Sequence, residues 1–355
     1  MTKKLNVAIL GATGAVGQRF IQLLANHPWF QITALAASDR NAGKTYEQAT
    51  NWVLRDVAMP EYVKNMTLTN CEVAEVTKNG KIDIAFSCLP GDLALTVEPE
   101  FAKAGIGVFS KASAYRMHED VPLMIPEVNE DQLAIIETQR KKHGWKGFIA
   151  TDPNCSTTQL AIALAPLVPL GLTQVHVVTL QALSGAGYPG VASLDIIDNV
   201  IPFISGEEEK IEKETEKILG KTVNGKVEYS KIKVSASCHR VFASEGHMES
   251  VSVKLRDGVT EKDILKAWET FSRTATTKQL QLPSAVDPIK YVEGNARPQH
   301  RYDVNEGKGM TVTLGRLRKD PLFSYKFTCL GHNTIRGAAG ESILQAEMFK
   351  AKGII

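Results

Sequence analysis

The chain has 355 residues, 43% apolar and 23% charged, long enough for two hydrophobic cores and within the range of an ordinary soluble protein. Its 41 basic and 39 acidic side chains leave a formal net charge of +2, which excludes a general field for nucleic acid or an anionic membrane and makes any anion recognition local. Five scattered cysteines (Cys71, Cys88, Cys155, Cys238, Cys329), none in a C-x-x-C pair, argue against a disulfide framework and fit a reducing compartment.

No signal-peptide pattern precedes Asn6 and no apolar run reaches transmembrane length, so a cytoplasmic protein is expected. Leu5 to Leu10 reads as a short buried strand, followed by a glycine-rich turn and a helix over Arg19 to Ala25. Ile32 to Ala37, Lys81 to Ser87 and Gly107 to Phe109 read as further strands. Strands alternating with helices predict an α/β fold, a parallel sheet covered on both faces. The pattern changes near residue 150. Thr151-Asp-Pro-Asn-Cys155-Ser-Thr-Thr158 punctuates the chain, with a helix-like run from Gln159. Longer alternating strands follow at Val175 to Leu180, Glu249 to Leu255 and Met310 to Leu317. These predict a mixed sheet in a second, α+β domain. The tail from Arg336 reads as a closing helix. No repeat, low-complexity segment or cluster with metal-ligand spacing stands out.

Gly11, Gly14 and Gly17 sit between the first strand and the first helix. Glycine lets backbone turn tightly against a pyrophosphate, and the helix start supplies free N–H groups with partial positive charge. The loop Gly11, Thr13, Gly14, Ala15, Val16 and Gly17 is the candidate dinucleotide cradle, and a plain strand–turn–helix corner is its alternative. The second strand should end at the adenosine ribose, where Ser38, Asp39, Arg40 and Lys44 stand. Ser38, Arg40 and Lys44 suit the 2′-phosphate of NADP, and Asp39 keeps NAD open.

Cys155 is the candidate nucleophile. It lies in a polar stretch ahead of a helix, where orphan N–H groups and the helix dipole favour the thiolate that attacks an acyl carbon. The other cysteines lie beside apolar runs or lack such a context. The segments GATGAVG, SKASAYRM, PEVN, PNCST, QALSGAG, EEEK, CHRV with the later Gly246-His247, and HNTIRGAAG follow one another along the chain. In that order the chain resembles the aspartate-β-semialdehyde dehydrogenases, and their archaeal and fungal branch more than the common proteobacterial one.

The resemblance implies roles for single residues. Cys155 is the nucleophile and His247 its acid/base partner, a role that needs an imidazole titrating near neutrality; His239 is the nearest rival. Arg240 clamps the substrate carboxylate, a task suited to a forked guanidinium. Glu207 binds the substrate ammonium, with Glu208 as an alternative one position on; outside the resemblance this acidic run is a solvated helix face. Lys210 and Arg116 hold phosphate, Gln181 orients the acyl group and Asn154 positions the thioester. Gly185 and Gly187 line the nicotinamide pocket and Asn333 contacts the carboxamide. A Rossmann-type domain over 1–150 closed by 333–355 would flank a catalytic and dimerisation domain over 151–332, in a homodimer or homotetramer.

The implied reaction is NADPH-dependent reduction of aspartyl-4-phosphate to aspartate-4-semialdehyde through a Cys155 thioester, feeding threonine, methionine, isoleucine and, in many organisms, lysine synthesis. Two rivals stay open: a malonyl-CoA reductase on the same scaffold, and an NADP-sensing regulator without chemistry. Glu207 and Asn154 favour the first reading, since malonyl-CoA offers no ammonium to pair a buried carboxylate.

Overall fold

The computed structural model describes residues 3–55 and 57–355. Its first sheet has five parallel strands in the order β2-β1-β3-β4-β5, with β1 Leu5–Leu10, β2 Phe30–Ala36, β3 Ile84–Ser87, β4 Gly107–Ser110 and β5 Phe148–Thr151. The residues of β3, β4 and β5 are all buried, the signature of a parallel sheet with both faces covered. The first helix, Ala15–Leu24, begins directly on the glycine turn, four residues before the predicted Arg19.

The chain's end returns to this sheet. Phe349, on the helix Gly340–Ala351, meets Phe109 of β4 at 5.1 Å and Phe148 of β5 at 5.0 Å between ring centroids. That helix starts later than its sequence predicts. Residues Ile335–Ala339 form a wide turn first, broken by the non-helical backbone of Ala338, with Gly337 pressed against Cys155.

The second sheet has six strands in the order β11-β12-β13-β10-β6-β9. They are β6 Gln174–Gln181, β9 Lys233–Arg240, β10 His247–Lys254, β11 Ile289–Val292, β12 Val312–Lys319 and β13 Tyr325–Gly331; a small hairpin, β7 Lys221–Val223 with β8 Lys226–Glu228, stands apart. Two pairs are parallel and three antiparallel, so the sheet is mixed. Along β6 and β10 buried and half-buried residues alternate. Val175, Val177, Val251 and Val253 share a core with Leu160 and Leu164 of the helix Cys155–Leu164 and with Ile211 and Ile218 of the helix Glu207–Ile218. The opposite face, with His176, Val178, Leu180 and Met248, stays half-buried.

Candidate active site

Strand register builds the site. His247 on β10 pairs with Gln181 on β6, Gln181 pairs with Arg240 on β9, and Gly331 of β13 lies on the other side of His247. Residues opposite one another across a sheet point to the same face, and Gln181, Arg240 and His247 are all buried. The helix carrying Cys155 is tied to this row by Gln159, whose Nε2 donates to the His247 carbonyl at 2.9 Å. Gly331 makes room for it: a Cβ there would lie 2.3 Å from Gln159 Oε1.

Cys155 is the first residue of its helix, and Asn154 is the N-cap. Asn154 Oδ1 accepts from Ser156 N at 2.9 Å and Thr157 N at 3.4 Å, satisfying two orphan donors. Its Nδ2 donates to Glu207 Oε2 at 2.8 Å, and its backbone N–H donates to Glu214 Oε2 at 2.7 Å. The thiol is half-buried. Burial, then the charge of Glu207, pushes it up to about 12, while Lys111 and Arg116 pull it down. The helix start therefore does not by itself produce the thiolate expected there.

The ring of His247 faces a similar environment. Ala182 N donates to its Nδ1 at 3.0 Å, and Nε2 is buried without a hydrogen-bond partner. Burial, followed by the charge of Arg240, lowers the imidazole to about 3. Burial thus favours the neutral form of both the thiol and the imidazole. His239, the rival histidine, is half-buried on the opposite face of its strand from Arg240.

The charged groups surround these two. Glu207 is buried; its Oε2 also accepts from Gln181 Nε2 at 3.3 Å, and its Oε1 from Lys210 Nζ at 3.0 Å. Glu208 turns away and accepts from Cys238 N at 2.9 Å, serving the outer strand β9. Arg240 Nη1 donates to the Ala182 carbonyl at 2.7 Å. Arg116 is buried, donating to Glu214 Oε1 at 2.9 Å and to the Lys111 carbonyl at 2.9 Å.

A groove of about 660 Å³ runs beside the glycine loop, lined by Thr13 to Gly17, Arg40, Lys111, Gly187 and Tyr188 among others. Gly11 has φ +81°, a backbone state that favours glycine, and a Cβ on it would lie 3.0 Å from the Cys88 carbonyl oxygen. A Cβ on Gly17 would lie 2.5 Å from the Gly11 carbonyl oxygen. The helix at Gly14 has no side-chain cap, which leaves its first N–H groups for an anion. Ser38 precedes the turn Asp39–Asn41 and, like Lys44, is exposed; neither lines this groove. Gly185 sits against the catalytic row, where a Cβ would lie 2.8 Å from Arg240 Nη1 and 3.0 Å from His247 Nε2. Asn333 is buried, with Oδ1 accepting from Gly246 N at 2.8 Å and Nδ2 donating to Ser184 Oγ at 2.8 Å. It holds the loop before His247 to the loop after β6.

Sequence reasoning passed over Lys111, Asp152, Gln159, Glu214 and Gly337. Lys111 lies inside SKASAYRM and Gly337 inside HNTIRGAAG, so the motifs flagged their neighbourhoods. Nothing local marks Glu214 as the carboxylate beneath Asn154, because that contact joins residues far apart in the chain.

Comparison with known proteins agrees with this arrangement. Residues 6–136 match the model of the semialdehyde dehydrogenase NAD binding domain and residues 164–336 that of the semialdehyde dehydrogenase dimerisation domain. An aspartate-semialdehyde dehydrogenase of Archaeoglobus fulgidus is 51% identical over 99% of both chains. That of Schizosaccharomyces pombe is 44% identical over 98% of this chain and 99% of its own. The crystal structure of the Candida albicans enzyme with NADP superposes with a TM-score of 0.90 at 39% identity, covering 99% of this chain and 100% of that one.

Proposed function

The chain belongs to the aspartate-semialdehyde dehydrogenases, and from that premise we propose how its own residues carry the reaction. It is an NADP-dependent oxidoreductase of amino-acid biosynthesis. The glycine cradle, the uncapped helix start and Arg40 fit NADP, which when bound in its reduced form supplies the hydride.

Cys155 Sγ attacks the acyl carbon of aspartyl-4-phosphate, its S–H bond breaking as the C–S bond forms. The bond from the acyl carbon to the phosphate oxygen breaks, and phosphate departs beside Arg116 and Lys210 carrying the thiol's proton, leaving a Cys155 thioester. Arg240 forks onto the α-carboxylate, and Glu207 rather than Glu208 meets the α-ammonium. Gln181 and Asn154 orient the acyl group from their shared bond to Glu207. His247 holds its proton at Nε2 and donates it as a hydrogen bond to the acyl oxygen as charge develops there. Accepting a proton at Nε2 would require the Ala182 N–H to release Nδ1.

The observation that carries this reading is the convergence of Asn154 Nδ2 and Gln181 Nε2 on Glu207 Oε2. A carboxylate suited to an ammonium thus lies against the cap residue of the helix that Cys155 opens, which supports this reading. The test is NADP-coupled, phosphate-dependent oxidation of aspartate semialdehyde, run beside malonyl-CoA reduction. Semialdehyde turnover that labels Cys155 in intact-mass analysis is expected, and faster malonyl-CoA turnover would overturn the substrate assignment.

Further features of the reading concern assembly and place. Residues 1–150 with 333–355 act as the cofactor unit and 151–332 as the catalytic one. Two copies pair through the half-buried sheet face at His176, Val178, Leu180 and Met248, as a homodimer or as a homotetramer of two such pairs, and sedimentation distinguishes the two. Five free cysteines suit the reducing cytoplasm. Among the described residues no helix is long and apolar enough to cross a membrane.

A further inference from the structure

Burial favours the protonated form of the Cys155 thiol, yet acyl transfer needs the thiolate. Asn154 already occupies the Ser156 and Thr157 N–H groups at the helix start. Arg116 is turned onto Glu214, and Arg240 onto a carbonyl. A further cation stands where the cofactor groove meets the nucleophile helix. Lys111 directly follows β4, lines the groove with Gly187 and Tyr188, and its side chain is 11% exposed.

The ammonium of Lys111 pairs with Asp152 and donates to the Gly337 carbonyl at 3.1 Å. Gly337 rests directly on the nucleophile: a Cβ there would lie 2.6 Å from Cys155 Cβ and 2.9 Å from its Cα. One residue therefore separates the ammonium from Cys155. Asp152 is fully enclosed and is held a second time by Ser342 Oγ at 2.9 Å, so the lysine is anchored on a rigid partner. The wide turn over Ile335–Ala339 is anchored too, through Arg336, which forks onto Glu127 at 3.1 and 2.7 Å.

We propose that Lys111, held by Asp152 and the Gly337 carbonyl, supplies the positive charge that stabilises the Cys155 thiolate. The role rests on Cys155 being the nucleophile. It acts through space on the sulfur, and Asp152 sets both the place of the ammonium and the size of its effect.

The test measures the second-order rate of Cys155 alkylation by iodoacetamide between about pH 6 and 9 in the intact enzyme, read by peptide mass mapping; well below the thiol midpoint this rate is proportional to the thiolate fraction. Lys111→Met should slow it about tenfold or more at each pH, equivalent to a midpoint raised by about one unit. Lys111→Arg should stay within about threefold of the wild type. Should Lys111→Met fail to fold, Lys111→Gln, which keeps a hydrogen-bond donor without the charge, should show the same loss. A merely structural lysine would lower the melting temperature in the variants and leave the rate in place, and that result would overturn the proposal. Full turnover by enzyme alkylated on Cys155 would instead remove the nucleophile assignment, whatever Lys111 does.

Discussion

The backbone N–H of Ala182 donates to Nδ1 of His247 at 3.0 Å, so the neutral ring carries its proton on Nε2, the atom that faces the site without a partner. A residue at the end of β6 thereby sets the tautomer of a residue at the start of β10. The ring is poised to donate, and burial together with Arg240 keeps it uncharged.

Replacement of His247 by Asn should lower kcat by roughly two to three orders of magnitude with little change in KM, the range for a lost hydrogen-bond donor to a developing oxyanion. Because the ring is held down to about 3, kcat/KM should show no acid limb near the ordinary histidine value. A wild-type limb near pH 6.5 that disappears in His247→Asn would contradict the neutral ring.

Acid stability follows from the same burial. His247 and His332 are both lowered to about 3, by burial first and then by neighbouring arginines. In the unfolded chain each takes a proton near pH 6.5. Between about 3 and 6.5 the unfolded state binds more protons, so stability falls as pH drops through that window. The melting temperature should decline from pH 7 to pH 5, and less steeply in His332→Asn. Identical slopes would show that His332 protonates in the folded protein.

Gly17→Ala places a Cβ 2.5 Å from the Gly11 carbonyl oxygen and 2.8 Å from Ala12 backbone atoms. Backbone must move, at a cost of about 1–3 kcal/mol, and the cradle with it. Gly14→Ala, whose nearest atom would be 3.6 Å away, should fold as well as the wild type. Thermal unfolding and NADPH titration check both, and equal NADPH affinity in Gly17→Ala and wild type would detach the loop from the cofactor.

Arg40 is exposed on the groove wall. Arg40→Ala should weaken NADPH about tenfold or more, equivalent to about 1.4 kcal/mol, and NADH far less. Fluorescence titration with the two cofactors measures this. Equal losses would assign Arg40 to the shared part of the dinucleotide.

Arg240→Lys keeps the charge and loses the fork, which should cost about 2–4 kcal/mol of transition-state binding in kcat/KM if both charge-assisted bonds depend on that geometry. Glu207→Gln should raise KM for the amino-bearing substrate and leave NADP binding unchanged. Near-normal kinetics in both variants would place the substrate elsewhere.

The local order of this protein was legible in its residues. The first strand runs Leu5–Leu10 as its apolar run predicts, Cys155 stands at a helix start as its polar flanks predict, although the helix begins at Cys155 itself rather than at Gln159, and the helix at Glu207 follows its apolar spacing. Strands β5, β7, β8, β9, β11 and β13 went unread: β5 is four buried residues with no period to distinguish it from a turn of buried helix, and β9, KVSASCHR, carries small and polar side chains at its buried positions, so its alternation in the sheet has no apolar counterpart in the sequence. For the site, local physics reached the glycine loop and the cysteine, while resemblance to a family supplied His247, Arg240 and Glu207. Only tertiary structure decided the rest. Register across β9, β6 and β10 put Arg240, Gln181 and His247 in one row, and the same folding turned Glu207 inward and Glu208 outward. It packed Cys155 and His247 so that the thiol is pushed up and the imidazole down, each toward its uncharged form, and it brought Lys111 to the nucleophile through Gly337. Backbone propensity acts over a few neighbours, whereas desolvation and charge–charge contact depend on groups far apart in the chain, so their outcome exists only once the sheets are paired.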